Sequence, residues 1–243
     1  MSGLLDDAIE AAGGRSRWGE VKGIAAHIRS GGLLMRMKGR ARSFRDYAVR
    51  IETSAQRARI DPYPRDGTKG VFEGATARIE RADGSVVAER SDARNAFFGL
   101  SGLRRVLRWD ELDALYFAGY ALWNYLTIPF LFESPGFGVS EGKGLTMDGE
   151  ELRRLDVNFP TGLHTHCRQQ AFYFDSLGLL RRHDYHPDVV SSLANAAHLC
   201  GDHRETGGLV LPTRRRVVPK GPRGRPMRGP TVVSLELDSI EVS

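Results

Sequence analysis

Residues 112–126, "LDALYFAGYALWNYL", constrain this chain more than any other stretch. They repeat with helical spacing but have no polar side. Leu112, Leu115, Tyr116, Phe117, Tyr120, Leu122, Trp123 and Tyr125 occupy every direction around the axis. A helix of that kind has to be enclosed on most of its surface. Trp109-Asp110 opens it, with Asp110, Glu111 and Asp113 near the positive end of the helix dipole, and Pro129 closes it.

The flanking sequence is not helical. Tyr47, Val49 and Ile51 alternate with Arg50 and Glu52, the period-two pattern of a strand with one wet face. Hairpin signals stand at Ser30-Gly31-Gly32, Asp83-Gly84, Asp148-Gly149, Leu177-Gly178 and Gly207-Gly208. Residues 4–12 read as a helix stopped by Gly13-Gly14. The expected order is an N-terminal helix within 1–20, a first meander over 21–91, a helical insert over 92–132 with Asp92 as its first cap, and a second meander over 133–243. A flat sheet cannot surround a helix, so the expected fold is mainly β (α+β): a strongly curved antiparallel half-barrel sheet wrapped around a buried central aromatic helix, in a single domain.

Several function classes drop out. No apolar run reaches about 18 residues, so no membrane span is expected. Acids at Asp6, Asp7 and Glu10 do not suit a secretion signal, and the two cysteines do not form a disulfide framework, so a cytoplasmic location is expected. No nucleotide-binding glycine loop, nucleophile elbow or paired-cysteine motif is present, and no cofactor is expected. The net charge is +5, and residues 213–228 carry seven Lys/Arg and no acid. That block contains no aromatic residue to stack a base. Its prolines and glycines predict a mobile loop, within 213–230, between two C-terminal strands, and no nucleic-acid partner.

Two runs carry a family resemblance. "QAFYFDSLGLLRRHDY" and "GDHRETGGLVLPTRRRV" resemble the closing strands of the lipoprotein-carrier (LolA/LolB-like) superfamily, through Phe172–Asp175, Gly178–Arg181 and Asp202–Pro212. "VKGIAAHIRSGGLL" and "YAVRIETSAQRARID" suit its opening strands. The overall pattern is also similar to cytosolic proteins of high-GC bacteria. The resemblance implies an eleven-stranded half-barrel with helices in its open face and a hydrophobic cavity between them. The carriers are secreted, so the expectation carried over is the cavity rather than lipoprotein transport.

Four of the seven histidines fall between Phe159 and Pro187. If 163–170 is extended, His164 and His166 share a face roughly 7 Å apart. They suit acid–base work, with His203 as a third catalytic candidate and Asp202 or His203 as an orienting partner. They could instead begin a metal site, but a third ligand has only loose candidates, and no metal is expected. His183 and His186 read as hairpin surface. Tyr116, Tyr120, Trp123, Asn124, Phe130 and His198 are the candidate ligand-binding residues, either as cavity wall or as plain core. Three functions remain open. The first is binding of a hydrophobic small molecule or acyl- or polyketide-like ligand, with a place in secondary metabolism. The second is a cofactor-independent cyclase or isomerase using the cavity histidines, or a metal-dependent enzyme using His164 and His166. The third is a protein whose aromatics fill the cavity and leave no ligand.

Overall fold

The computed structural model describes residues 3–191, 194–221 and 224–243. Two short helices, α1 (Leu4–Ala11) and α2 (Gly14–Glu20), precede the first strand. Six strands follow: β1 (Gly23–Gly31), β2 (Asp46–Glu52), β3 (Arg57–Asp61), β4 (Thr68–Glu73), β5 (Thr76–Arg81) and β6 (Val86–Arg90). A helix α3 (Leu33–Met37) sits between β1 and β2. The insert holds α4 (Gly99–Leu107) and α5 (Glu111–Thr127). The second series runs β7 (Gly138–Met147), β8 (Glu150–Asn158), β9 (Gln169–Phe174), β10 (Leu180–Tyr185), β11 (Ala196–Thr206), β12 (Leu209–Pro219) and β13 (Val233–Val242).

Among the described residues thirteen strands form one antiparallel sheet, two more than the resemblance implies. Its order is β6-β5-β4-β3-β2-β1-β13-β12-β11-β10-β9-β8-β7. Every strand neighbours its sequence neighbour except at two places. The first is the seam, where β1 pairs with β13 from Ile24↔Val242 to Gly31↔Ser234. The second is the jump from β6 to β7, which are the two edges of the sheet. A chain leaving one edge to start the other has to cross the sheet, and it crosses as α5. The sheet coils around it as a half-barrel, and every residue from Leu112 to Thr127 is buried.

Asp110 is the N-cap of α5. Its carboxylate accepts from Asp113 N at 2.9 Å, and Asp113 Oδ2 accepts from Asp110 N at 3.0 Å, a reciprocal capping box. The helix leans on β2–β6. It comes close to β4 because two positions lack a side chain. A Cβ on Gly119 would stand 2.3 Å from Phe72 Cβ, and one on Gly70 would stand 2.4 Å from Leu115 Cδ1.

Four expectations need correction. Residues 33–37 are helical instead of the second arm of a hairpin: Gly32 turns the chain at φ 103°, and Leu-Met-Arg-Met are good helix formers. Asp92 caps no helix; it accepts a hydrogen bond from Asn95 Nδ2, and the N-cap of α4 is Phe98. Residues 163–168 form a loop, with β9 beginning only at Gln169. The basic block is not a loop over 213–219. Those residues belong to β12, where Arg214 and Arg216 face solvent and Arg215 is buried. Of the prolines in that block, Pro222 lies outside the described residues.

Packing around α5 sets the expected stabilities. Gly119→Ala gains helix propensity but has to displace Phe72, so a net loss of about 1–3 kcal/mol is expected. Trp123→Ala should cost about 3–5 kcal/mol. Urea unfolding of the two variants checks both values.

Candidate functional site

The helix α5 has two different sides. Tyr116, Tyr120, Trp123 and Asn124 lie on one, and Phe117, Ala118, Ala121, Leu122 and Tyr125 on the other, as the i, i+3, i+4 spacing dictates.

The first side is filled with hydrogen bonds. Tyr116 OH meets His164 Nδ1 at 2.7 Å, and Tyr120 OH meets His166 Nδ1 at 3.1 Å. Asn124 Nδ2 donates to Tyr120 O at 2.7 Å and to His164 O at 2.9 Å. Gln56 holds the same loop from β3's side, accepting from His164 N and donating to His164 O. Both histidines therefore turn toward α5, although the segment carrying them is not a strand. Trp123 Nε1 donates to Glu52 O at 2.7 Å. Phe130, beyond the helix, stacks on Trp18 with ring centroids 4.4 Å apart. None of these side chains lines the cavity on the other side of the helix.

Behind this layer three histidines come together in the dry interior. His166, from the loop, lies flat against Tyr185 at 3.9 Å and joins Tyr125 OH through Nε2 at 2.8 Å. His183, on β10, stacks on Phe172 at 4.2 Å. His198, on β11, packs edge-on to Tyr125 at 4.6 Å. His183 was expected on a hairpin surface but is 2% exposed, because its position on β10 faces the concave side; His186 is half-buried. His203 does not join the cluster. It sits five residues along β11 from His198, roughly 16 Å away at strand rise.

These imidazoles are neutral. Burial, reinforced by the positive charge of Arg94, pushes His166 down to about 3. Burial likewise lowers His183 and His198 well below the usual range, with further lowering from neighbouring imidazoles and Arg215. His164 and His203, each less buried, are also lowered by burial first. A neutral His166 accepts at one nitrogen and donates at the other, so it can serve both tyrosines. His183 carries its proton on Nε2, which donates to Gln170 Oε1 at 2.6 Å; the orientation of that amide is set by its own bonds to Thr165 Oγ1 and Cys167 O. His198 has no hydrogen-bond partner for either nitrogen among the described residues. No three His, Cys, Asp or Glu side chains among the described residues are arranged to hold a metal ion.

Arg215 anchors this cluster from β12. Its Nη2 donates to Tyr125 O at 2.7 Å, and its guanidinium lies over the Tyr125 ring at 5.0 Å. Tyr125 O belongs to the last turn of α5, whose carbonyls have no partner within the helix. A basic residue read from sequence as part of a solvated block is thus the cation at the helix C-terminus.

The second side of α5 faces space. A cavity of about 290 Å³ is lined by Leu34, Phe117, Tyr185, Val190, Val217 and Val233, with Lys220 and Asn195 at one end. A narrow gap of about 50 Å³ adjoins it, walled by Ala118, Ala121, Leu122, Tyr125 and Leu235; Phe117, Tyr185 and Val233 border both. Met35 and Phe44 stand between this gap and an open cleft of about 630 Å³ edged by Arg36, Arg42 and Arg45. Sequence reasoning missed this wall. Its signal was the pair Ala118 and Ala121, small residues on one side of an otherwise bulky helix.

No protein-family model matches the sequence, and no curated protein matches it. Solved structures do, at the level of fold. A LolA superfamily protein from Nitrosomonas europaea aligns over 99% of this chain and 92% of its own, at 12% identity and TM-score 0.53. A domain from Vibrio parahaemolyticus described as an outer membrane lipoprotein-sorting protein aligns over 98% and 91%, at 12% identity and TM-score 0.54. A DUF1329 family protein from Desulfovibrio piger aligns over 98% and 91%, at 13% identity and TM-score 0.52. The chain has the LolA-like fold.

The buried histidines make stability depend on pH. Each is neutral when folded and has an unfolded value near 6.5. Unfolding therefore takes up protons below about pH 6.5, and stability falls as pH decreases from there, for His166 down to about 3. The slope is about 1.4 kcal/mol per pH unit per histidine. His198→Leu removes one such group together with an unpaired buried dipole. The variant should match or exceed the wild type in stability at pH 7, with a margin that widens as pH falls. Urea unfolding from pH 7.5 to 4.5 measures both; a margin constant with pH would show that His198 takes up its proton alike in the folded and unfolded protein.

Proposed function

We propose that the protein binds one hydrophobic small molecule, or a single acyl-type chain, between α5 and strands β12 and β13. The observation that carries this reading is the apolar chamber between Phe117 and Tyr185 on one side and Val217 and Val233 on the other, with a narrow gap beside it that shares Met35 and Phe44 with a cleft at the surface. Apolar cavities with a few polar groups at one end are the usual form of small-molecule sites. At about 290 Å³ the main chamber stands at the low end of their size range, roughly 300–1,000 Å³. It suits one chain or one compact ring system, not several chains. The lipoprotein-sorting description of the Vibrio parahaemolyticus domain, which shares the fold, agrees in kind.

The histidines support the binding site from behind. Tyr185 separates them from the chamber, and with Tyr125 it forms a wall whose hydroxyls, 3.2 Å apart, hydrogen-bond to each other. That bond, and the His166 bond to Tyr125, keep the polar atoms turned away from the apolar space.

N-phenyl-1-naphthylamine, whose fluorescence rises in apolar surroundings, tests the reading. The wild type should bind it saturably. Ala121→Phe, which fills the narrow gap, and Val217→Trp, which fills the chamber, should each weaken binding by about tenfold or more, in line with loss of a buried apolar contact surface. His164→Ala, on the opposite side of α5, should leave binding unchanged. Absence of saturable binding, or equal binding by Val217→Trp, would overturn the proposal.

A further inference from the structure

The helix α4 is turned inside out. Leu100 is 96% exposed, Leu103 72%, Val106 61% and Leu107 78%. Their spacing places all four on one face. The opposite face, which holds Gly102 and Arg105, is the buried one. Arg105 Nε donates to Asp113 Oδ1 at 2.6 Å, and Asp113 is fully buried in α5, where Arg90 also reaches it at 2.7 Å. Lys38 Nζ donates to Arg105 O and Val106 O, two carbonyls of the last turn of α4. The helix is thus pinned by its charged face. Rolling it to hide the leucines would bring Arg105 away from Asp113 and leave a buried carboxylate short of a partner. The leucines are displayed because the ion pair beneath them fixes the rotation.

Cations border this face. Arg104 is exposed on the same helix, where it pairs with Asp110, and Arg108 follows at its end and packs beside Gly39. Met37, the last residue of α3, is 71% exposed where the loop toward β2 begins. Arg36 and Arg42 stand exposed without an acidic partner among the described residues, and they also edge the open cleft.

We propose that α4 and the loop between α3 and β2 dock on an anionic lipid bilayer. The four apolar side chains enter the acyl boundary, and Arg36, Arg42 and Arg108 meet headgroup phosphates. A short apolar helix face with cations on its flank and at its C-terminal end suits an interfacial helix, whose affinity adds apolar burial to attraction by anionic lipid. The side chains project singly from a convex helix, a shape that a fluid layer accommodates. Docking brings the cleft edge, through Arg36 and Arg42, to the headgroups. The inference stands whatever the interior cavity holds.

Co-sedimentation with vesicles tests it, using phosphatidylcholine alone and phosphatidylcholine mixed with phosphatidylglycerol. The expected result is binding to the mixed vesicles that weakens in high salt, and little binding to the neutral ones. Leu103→Asp should lower partitioning about tenfold or more. Arg36→Glu combined with Arg42→Glu should lower it and flatten its salt dependence. Val86→Asp, at an exposed site on the β6 edge, should change nothing, and thermal midpoints should be the same in all variants. Failure to bind either vesicle, or binding unaffected by Leu103→Asp, would overturn the proposal. Self-association in the absence of lipid that Leu103→Asp abolishes would assign the face to a second copy and overturn it as well.

Discussion

Sixteen consecutive residues of α5 have to be kept from water, and the rest of the molecule is arranged around that need. Each large apolar side chain buried is worth about 1.5–3 kcal/mol. An amphipathic helix could satisfy itself on a single sheet face, but α5 cannot. The sheet has to bend around it, and the chain topology makes this possible. With β1 paired to β13, the two strands that flank the insert in sequence become the outer edges in space. The insert is then the one segment that must run across the concavity.

Enclosing a helix also encloses its ends. At the N-terminus Asp110 and Asp113 satisfy free N–H groups and are balanced by Arg90 and Arg105. At the C-terminus Arg215 reaches in from β12 to a carbonyl of the last turn. Charges are placed at both ends in the sense the helix dipole favours. The same arrangement has a consequence at the surface. Arg105 serves the N-terminal cluster of α5, and by doing so it turns the leucines of α4 outward. A polar requirement in the core determines an apolar surface.

The two sides of α5 divide the labour. Toward the His164–His166 loop, each tyrosine hydroxyl and the Asn124 Nδ2 find partners, while Asn124 Oδ1 is buried without one among the described residues. Toward β12 and β13, Ala118 and Ala121 stand among the larger side chains and the packing is left open. The histidines that attract attention in the sequence therefore belong to the closed side. Their neutrality is a result of burial, and it ties stability to acid.

Much of the architecture was legible in the sequence. Period-two alternation, turn dipeptides and an apolar helix between two meanders are local signals, and they determined the curved sheet, the insert, the opening of α5 at Trp109-Asp110 and four of the five hairpin turns. The fifth, at Ser30-Gly31-Gly32, misled because the glycines there start a helix instead of a tight turn. The convergence of His166 with Tyr120 was partly legible, since both were singled out, but the partnership with His183, Tyr125 and Tyr185 was not. Those contacts join residues tens of positions apart, and no local periodicity encodes them. Arg215 illustrates the limit. In sequence it stands between two arginines that face water, and strand alternation says only that it differs from them. Whether the inward side meets solvent, core or a helix end depends on how far the sheet curls. The same holds for the cavity: the sequence determined that α5 is apolar all round, and only the tertiary structure decided on which side neighbours would fill the space and on which they would leave it open.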